Sequence, residues 1–250
     1  MVDMGNSSIK WATREQNQLS FQQRIPYQTD NHLEKMLTQV WLTLKVPCQG
    51  VWVSNVAGLH KAKVLTDWVK NHWDLKPTFI ETSRSECGVK NGYENPEQLG
   101  VDRWLALIGA YQLEKGMLCV VDCGTAVTVD VLSASGFHQG GLIMPGITTM
   151  HHALLNNTYA LVHLNKTLCQ RFEKTFLAHD THTGITLGTL YAVVGLLEYV
   201  INTLEKEGNQ LKVILTGGSA PTLESLLQRT YRHIPDLVLQ GLVAIADQSL

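Results

Sequence analysis

Apolar residues with a two-residue period flank a short turn near the middle of the chain. One apolar run ends at Asp122, and β-branched residues then alternate with other residues up to Leu132. This period on both sides of Gly124-Thr125 predicts a β-hairpin over Val120–Leu132. Its turn combines a carboxylate, a glycine and a hydroxyl, which can hold a phosphate and its metal ion. An ordinary surface turn uses the same residue types, so the pattern alone leaves both interpretations open.

A second copy of the pattern stands at the start of the chain. The segment Val2-Asp3-Met4-Gly5-Asn6-Ser7 aligns with residues 121–126 as V-D-x-G, then Asn or Thr, then Ser or Ala. Each copy ends one apolar run and opens another. A repeat of this kind predicts two related half-domains, each supplying a phosphate-binding hairpin to a shared cleft.

The rest of the chain predicts two α/β halves of similar plan, residues 1–115 and 116–250. The elements predicted for the first half are strands 2–4, 8–13, 19–25, 50–56 and 77–80 and helices 31–45, 59–72 and 101–114. Those predicted for the second half are strands 117–122, 126–132, 137–143, 213–216 and 237–239 and helices 147–157, 181–207, 222–229 and 241–248. Ser83–Gly100 lacks periodicity and is predicted to be a functional or mobile loop.

Composition narrows the class of protein. With 250 residues, of which 44% are hydrophobic and 17% charged, the chain can bury a sizeable core. The net charge of −2 does not favour binding to nucleic acid or to a membrane surface.

Five cysteines without a Cys-x-x-Cys pair favour buried free thiols in a reducing compartment, so we expect a cytoplasmic protein. Gly188–Leu204 falls short of a membrane span and is expected to be a buried or subunit-facing helix.

Asp102 and Arg103 stand where the long loop becomes a helix. A helix N-terminus offers free N–H groups and a partial positive charge, so polar ligands and anions bind there. Asp102 has two interpretations, a first-turn acid that stabilises the helix or a general base beside an anion-binding arginine. In either case the helix terminus is expected to lower the pKa of this carboxyl.

Two glycine-rich segments complete the set. Gly140–Gly146 is either a strand end with a turn or backbone that closely approaches a ligand or the Asp122 hairpin. Thr216-Gly217-Gly218 follows a predicted buried strand and precedes a helix, which is typical of a nucleotide contact.

The histidine pairs 151–152 and 179/182 do not provide four ligands at zinc-like spacing, so a transition-metal site is not favoured.

Five motifs together resemble the type III pantothenate kinases, a family of the acetate kinase, sugar kinase, Hsp70 and actin superfamily. In chain order they are Asp3-x-Gly5-Asn6-Ser7-x-x-Lys10, Gly100-x-Asp102-Arg103, Asp122-x-Gly124-Thr125-Ala126-x-Thr128-x-Asp130, Gly140-Gly141-x-Ile143-x-Pro145-Gly146 and Thr216-Gly217-Gly218. The resemblance covers nearly the whole chain. It implies a duplicated ribonuclease H-like fold of the actin-like ATPases, with a central nucleotide cleft, and ATP-dependent phosphorylation of pantothenate on its terminal hydroxyl.

The resemblance also implies roles for individual residues. Asp3, Gly5, Asn6, Ser7 and Lys10 would bind the phosphates of ATP, with Asp3 facing Mg²⁺. Gly124, Thr125, Gly217 and Gly218 would also contact ATP, and Asp122 would bind a monovalent cation, potassium or ammonium. Tyr93, Gly100, Val101, Asp102 and Arg103 would bind pantothenate, with Asp102 as the proton acceptor. Thr181 matches a further pantothenate-contacting position, although Asp180 stands where the family often has Asn.

Two other functions stay open at this point. A kinase of the same fold could act on another small hydroxylated acid, and a nucleotide-binding regulator could keep the cleft without phosphoryl transfer. The presence of both Asp102 and Arg103 favours an enzyme. We further expect a homodimer, because Gly188–Leu204 is apolar around nearly its whole circumference and one half-domain can cover only one side.

Overall fold

The computed structural model describes residues 1–15, 18–20, 22–27, 33–44, 46, 50–157, 176–208 and 210–249. The chain forms two compact units. The first comprises residues 1–115, 135–138 and 236–250, and the second comprises 116–134 and 139–235. The boundary at 115/116 is the one that the sequence predicts, but the last fifteen residues belong to the first unit and not to the second half.

The first unit is built on a five-stranded sheet in the order β5-β2-β1-β6-β7. Its elements are β1 Val2–Met4, β2 Ser8–Trp11, β3 Arg14–Glu15, β4 Gln18–Leu19, β5 Gln23–Pro26, α1 Leu33–Trp41, β6 Trp52–Asn55, α2 Leu59–Trp73, β7 Thr78–Phe79, β8 Ser85–Glu86, β9 Val89–Lys90, α3 Val101–Leu113 and the C-terminal helix Leu237–Ser249. β1 and β2 form the antiparallel hairpin that the repeat predicts, with Asp3 opposite Lys10. β6 pairs with β1 in parallel and places Ser54 beside Asp3.

Indole rings pack together between this sheet and its first two helices. Trp41 on α1 stacks on Trp73 at 5.4 Å and meets Trp11 and Trp68 edge-on at 5.9 and 5.6 Å. The 3.6-residue spacing of apolar positions in α1 and α2 brings Leu37, Trp41 and Trp68 onto the faces that pack together. The sheet that carries the first hairpin therefore has a rigid support.

Two glycines let α3 and the C-terminal helix approach at backbone distance. A Cβ on Gly241 would lie 2.0 Å from the carbonyl oxygen of Leu105, and one on Gly109 would lie 2.4 Å from that of Leu237. Any larger side chain would push the helices apart. This contact fixes the axis of α3, whose first turn carries Asp102.

The second unit repeats the plan of the first. Its elements are β10 Met117–Cys123, β11 Ala126–Leu132, β12 His138–Pro145, α4 Ile147–Asn157, α5 Thr181–Lys206, β13 Leu211–Thr216, α6 Ala220–Leu223 and β14 Tyr231–His233. The C-terminal helix Leu237–Ser249, which belongs to the first unit, is numbered α7. Its sheet runs in the order β12-β11-β10-β13-β14, which corresponds strand for strand to β5-β2-β1-β6-β7. The duplication inferred from two short motifs thus extends over two whole sheets.

Helix α5 packs one face on the core of the second unit, through residues such as Leu190, Val193 and Leu197. Among the described residues it is the one helix long and apolar enough to cross a membrane by length and composition, and 39% of its apolar window is buried. A buried or interfacial helix of a soluble protein meets the same criterion.

The sequence-based assignment is wrong near the C-terminus. A strand was predicted at 237–239, but the fifth strand of the second sheet is β14 at Tyr231–His233, and Leu237 begins α7. Leu237, Val238 and Leu239 are all buried, so the apolar run belongs to a helix covered on more than one side. A short apolar run does not distinguish such a helix from a buried strand.

Two other segments differ from expectation. The strand predicted at 19–25 corresponds to β5 at Gln23–Pro26, while Gln18–Leu19 pairs with Arg14–Glu15 in a separate small hairpin. Ser83–Gly100 contains the hairpin of β8 and β9 and a 3₁₀ turn at Pro96–Gln98. Residues 31, 32 and 45 of the helix predicted over 31–45, and the cysteines Cys48 and Cys169, lie outside the described residues.

Candidate functional site

The first hairpin presents a buried carboxylate next to an exposed turn. Asp3 is 3% exposed, and its Oδ2 lies 3.4 Å from Nζ of Lys10 across the strand pair. Gly5 N–H donates to the carbonyl of Ser8 at 3.0 Å and closes the turn, while Asn6 and Ser7 are exposed. The loop therefore offers a carboxylate, an ammonium group and polar groups at its tip, which suits a phosphate with its metal ion.

The start of α3 holds Asp102 in a fixed rotamer. Oδ1 of Asp102 accepts a hydrogen bond of 2.8 Å from the N–H of Arg103. A Cβ on Gly100 would lie only 2.7 Å from that oxygen, so the carboxylate folds back over the residue before the helix. Glycine at position 100 therefore has a steric reason, which the sequence could not reveal.

Asp102 has a raised pKa, contrary to the sequence-based expectation that the helix terminus would lower it. Burial is the largest cause, and the negative charge of Asp3 adds to it. The Arg103 N–H and the Arg103 guanidinium both lower the pKa of Asp102, but by less than burial and Asp3 raise it. A carboxylate with a raised pKa is a stronger base, and its coupling to Asp3 places the two side chains within electrostatic reach in the first unit.

Arg103 points into a small cluster with Tyr93. Its Nη1 donates a hydrogen bond of 3.0 Å to the Tyr93 hydroxyl, and its guanidinium carbon lies 5.6 Å from the centre of that ring. His138 also stacks on Tyr93, with ring centres 5.7 Å apart. His138 is fully buried, and the backbone at Gly92 passes so close that a Cβ would lie 1.8 Å from the His138 carbonyl oxygen.

The segment before α3 is ordered by its own side chains. The buried Asn91 donates from Nδ2 to the carbonyls of Ser83 and Pro96 and accepts from the Tyr93 N–H at 2.9 Å. Thr82 closes the segment by donating to the Leu99 carbonyl at 2.8 Å. This long segment therefore forms a scaffold that positions Tyr93 beside Arg103. The sequence alone does not assign Asn91, Gly92 or His138 to this cluster. An Asn-Gly pair is also typical of an ordinary turn, and His138 reaches Tyr93 only through the fold.

The second hairpin is enclosed by glycines. Asp122 pairs in register with Thr128 on β11 and with Thr216 on β13. Gly146 N–H donates to the Thr125 carbonyl at 2.9 Å, and a Cβ on Gly146 would lie 2.3 Å from the Gly124 carbonyl oxygen. Gly140–Gly146 was interpreted as backbone that could approach the Asp122 hairpin, and at Gly146 this interpretation is confirmed.

Gly217 approaches the same hairpin from the adjacent strand. Its φ is +90°, and a Cβ there would lie 2.4 Å from Oδ1 of Asp122. Ser219 N–H then donates to the Cys123 carbonyl at 3.0 Å. In the second unit the three glycine-containing motifs thus meet at one hairpin, with Gly217 against the Asp122 carboxylate and Gly146 against the backbone of the turn.

Thr181 lies at the first position of α5. Asp180 caps the helix by accepting from the Thr183 N–H at 2.9 Å, and this bond lowers the pKa of Asp180. Thr181 lines an open apolar cavity of about 770 Å³ between α4 and α5. Small residues of α5, including Gly184, Gly188 and Ala192, are exposed along this side of the helix.

Neither histidines nor cysteines form a metal site in the described part of the chain. No group of three or more His, Cys, Asp or Glu side chains there is arranged to hold an ion. His151 is buried with its ring 5.5 Å from that of His182, and its pKa is lowered by burial and by the neighbouring histidines. Cys87, Cys119 and Cys123 are free and buried, and burial raises the pKa of Cys119 to about 12.

Sequence comparison identifies relatives along the whole chain. The family model for type III pantothenate kinases matches residues 1–203. A type III pantothenate kinase from Nitrosococcus oceani is 36% identical over 252 residues, which covers 98% of this chain and 92% of the relative.

Structural comparison shows the same fold in proteins of different kinds. The activator of the 2-hydroxyisocaproyl-CoA dehydratase from Clostridium difficile, solved with bound ADPNP, aligns with a TM-score of 0.51 at 11% identity, over 99% of this chain and 95% of its own. A chain of the PilM–PilN type IV pilus biogenesis complex aligns with a TM-score of 0.52 at 12% identity, over 99% and 97%. At these identities the likeness concerns the fold alone, the actin-like ATPase fold.

The raised pKa of Asp102 predicts that the ionised carboxylate destabilises the folded chain. Since the folded state binds a proton more tightly than the unfolded state, this cost is absent below the unfolded pKa of about 3.9 and grows as the pH rises through the folded pKa. We therefore expect Asp102→Asn to melt at a higher temperature than the wild type at pH 7.5, and the difference to vanish near pH 3.5. Thermal unfolding followed by circular dichroism at both pH values measures this.

Asp180→Asn is the matched control, with the opposite sign. The Thr183 N–H lowers the pKa of Asp180, so the ionised form stabilises the fold above the unfolded pKa and the stabilisation disappears as the pH falls. This variant should melt at a lower temperature than the wild type at pH 7.5. A fall in the melting temperature of Asp102→Asn at pH 7.5 would contradict the electrostatic assignment.

Proposed function

The chain belongs to the type III pantothenate kinases and catalyses the ATP-dependent phosphorylation of pantothenate in coenzyme A biosynthesis, and we propose that Asp102 is its general base. The observation that carries this assignment is the place of Asp102 in the first turn of α3, where the Arg103 N–H holds its Oδ1 at 2.8 Å, and the raised pKa caused by burial and by Asp3 supports it. In phosphoryl transfer the protein chiefly positions the groups and stabilises charge, and an aspartate accepts the proton of the substrate hydroxyl. Asp102 has the fixed rotamer and the basicity that this role needs.

We assign nucleotide phosphates to the first hairpin. Oδ1 of Asp3 is buried and has no hydrogen-bond partner among the described residues, although Oδ2 contacts Lys10. A Mg²⁺ ion carried by ATP needs only one or two protein carboxylates in addition to the phosphates, so these residues fit it. When bound, this ion neutralises charge on the phosphates. Lys10 and the N–H groups of the turn at Gly5, Asn6 and Ser7 would bind phosphate oxygens.

We assign the monovalent cation, potassium or ammonium, to Asp122. At the register position that Lys10 occupies in the first hairpin, the second hairpin has Thr128. Both carboxylates are flanked on the parallel strand by a buried hydroxyl residue, Ser54 for Asp3 and Thr216 for Asp122. A site with oxygen ligands and no lysine opposite the carboxylate suits an external cation. Gly124, Thr125, Gly217 and Gly218 then face ATP.

Pantothenate would bind at the start of α3. Arg103 and Tyr93 supply hydrogen-bond donors and a planar charged fork that suits the anionic end of the substrate. Gly100 and Val101 would contact it through the backbone at the helix N-terminus. Asp102 would accept the proton of the terminal hydroxyl as phosphate is transferred to that oxygen.

We further propose a cytoplasmic homodimer in which the exposed side of α5 packs against a second copy. Gly184, Gly188, Ala192 and Gly195 form this side, and a Cβ on Gly188 or Gly195 would meet nothing within 4 Å. Closed twofold dimers are the commonest way to cover such a surface. Because Thr181 opens the same helix, it would reach the pantothenate site of the partner.

The general-base assignment predicts a large loss of turnover. Asp102→Asn keeps the shape of the side chain and its bond from the Arg103 N–H but removes the base, which typically costs about 10²–10⁴-fold. We expect kcat to fall by this amount in an ADP-release assay with saturating ATP, pantothenate and potassium. A near-normal kcat would show that another group takes the proton, and ADP release that does not depend on pantothenate would contradict the kinase activity itself.

The two hairpins should respond to different ions. Asp122→Ala should weaken the dependence of the rate on potassium, because it removes the carboxylate assigned to that ion. Asp3→Ala should weaken the dependence on Mg²⁺. Rates measured over concentration series of both ions test this, and the same response of both variants to each ion would remove the basis for separate roles.

The dimer predicts a substrate site shared between copies. Sedimentation velocity should show a dimer at micromolar concentration and a monomer for Ala192→Glu, since a charge would be buried in the interface. Asp102→Asn and Thr181→Arg should each be inactive alone. After subunit exchange, a mixture of the two should regain activity, because one hybrid site is intact. A fully active monomer, or a mixture that stays inactive after demonstrated exchange, would exclude the shared site.

A further inference from the structure

Tyr27 lies against the first hairpin from the neighbouring strand. β5 pairs with β2 so that Pro26 stands opposite Ser8, and Tyr27 follows directly after this pair. The Tyr27 N–H donates to the Ser7 carbonyl at 3.0 Å, which ties this residue directly to the turn of the hairpin. The ring is therefore positioned by the same backbone that shapes the turn.

Two buried polar atoms beside this turn have no hydrogen-bond partner among the described residues. One is the hydroxyl of Tyr27 and the other is Oδ1 of Asp3. A buried polar atom without a partner costs about 1–3 kcal/mol, so a ligand that supplies the missing hydrogen bond binds favourably at such an atom. Here one is a donor and the other an acceptor, which matches an anion that carries a metal ion.

The Tyr27 hydroxyl remains protonated under ordinary conditions. Burial is the main cause that raises the pKa of Tyr27, and the negative charge of Asp3 raises it further. The group can therefore donate a hydrogen bond but does not compete with Asp3 as a second anion. The influence of Asp3 also shows that the two side chains share one electrostatic environment.

A basic residue from α2 adds positive charge at the same place. Nζ of Lys61 lies 5.0 Å from the centre of the Tyr27 ring, within the range of a cation–π interaction. Lys61 and Lys10 thus bring two ammonium groups to the surroundings of the hairpin, one from a helix and one from β2. An uncharged ligand would not need this arrangement.

We propose that the Tyr27 hydroxyl donates a hydrogen bond to the phosphate chain of the nucleotide and that Lys61, held on the face of its ring, supplies a second positive charge to this site. The proposal rests on the proposed assignment of the first hairpin to ATP. It adds a nucleotide-binding pair that lies outside the repeated hairpin motifs. The tyrosine is a binding residue here, and the lysine contributes through charge and by fixing the ring.

The test compares Tyr27→Phe with the wild type. The substitution keeps the ring and the contact with Lys61 but removes the hydroxyl. Because a hydrogen bond to a charged group is lost, the affinity for an imido-bridged ATP analogue with Mg²⁺, measured by calorimetry, should fall about tenfold or more. KM for ATP should rise in parallel, while KM for pantothenate should not change and the melting temperature of the ligand-free chain should not fall, because the hydroxyl that is removed has no partner among the described residues.

Tyr111→Phe is the matched control. Lys115 lies 5.0 Å from the Tyr111 ring centre, the same geometry as the Lys61 pair, but this pair stands at the end of α3 and contacts Gly88 and Gly136. The control should leave all four quantities unchanged. Lys61→Met should weaken binding of the analogue several-fold, and the difference from the wild type should shrink at high salt.

Three outcomes would overturn the proposal. Unchanged affinity of Tyr27→Phe for the analogue would show that the hydroxyl does not contact the nucleotide. An equal loss of affinity for adenosine would place the effect away from the phosphates. A lower melting temperature without a change in affinity would indicate a structural role. Failure of the proposed nucleotide assignment is distinguishable, since Asp3→Ala would then leave binding of the analogue unchanged.

Discussion

The candidate site in the first unit depends on the electrostatic coupling of two carboxylates, those of Asp3 and Asp102. Asp3 is almost completely buried, and its charge helps to raise the pKa of Asp102 at the start of α3. Lys10 at 3.4 Å and the Arg103 N–H at 2.8 Å offset part of the cost of burying these groups. The remaining cost is a feature of sites that bind a cation or accept a proton, because the ligand or the proton relieves it. A pair of this kind lowers stability in exchange for reactivity.

The supporting structure makes this unfavourable pair possible. The close approach of α3 and α7 through Gly109 and Gly241 fixes the helix that carries Asp102. The stacked indoles under the sheet fix the hairpin that carries Asp3. Because both elements are held by contacts away from the carboxylates, the side chains cannot move apart without disturbing the core. Their positions are therefore decided by packing and not by their own electrostatics.

The sequence predicted the parts of the fold that have a strong local pattern. Both hairpins of the repeat and the bounds of β11 and α4 follow from periodicity and turn residues, whereas the small hairpins β3–β4 and β8–β9 are too short to show a pattern. The strand at Tyr231–His233 could not be found in this way, since three residues carry too little pattern and the apolar run after it is more prominent. The raised pKa of Asp102 was missed for a different reason. Its main cause is burial by residues that are distant in sequence, whereas a local pattern shows only the helix terminus.

A local sequence pattern reveals the motif residues, whereas the residues that support them come together only in the fold. Asp3, Asp102 and Asp122 stand in repeated or glycine-rich patterns that a single sequence can reveal. Tyr27 and His138 have no such pattern, and each lies near a functional side chain only because strands or loops bring it there. In a duplicated fold the repeat identifies what the two halves share, the carboxylate with its turn and a hydroxyl on the next strand. The halves differ at the residue opposite the carboxylate, which is Lys10 in the first hairpin and Thr128 in the second. A repeated motif therefore identifies the carboxylate and turn that the halves share, whereas the strand register identifies the position at which they differ in charge.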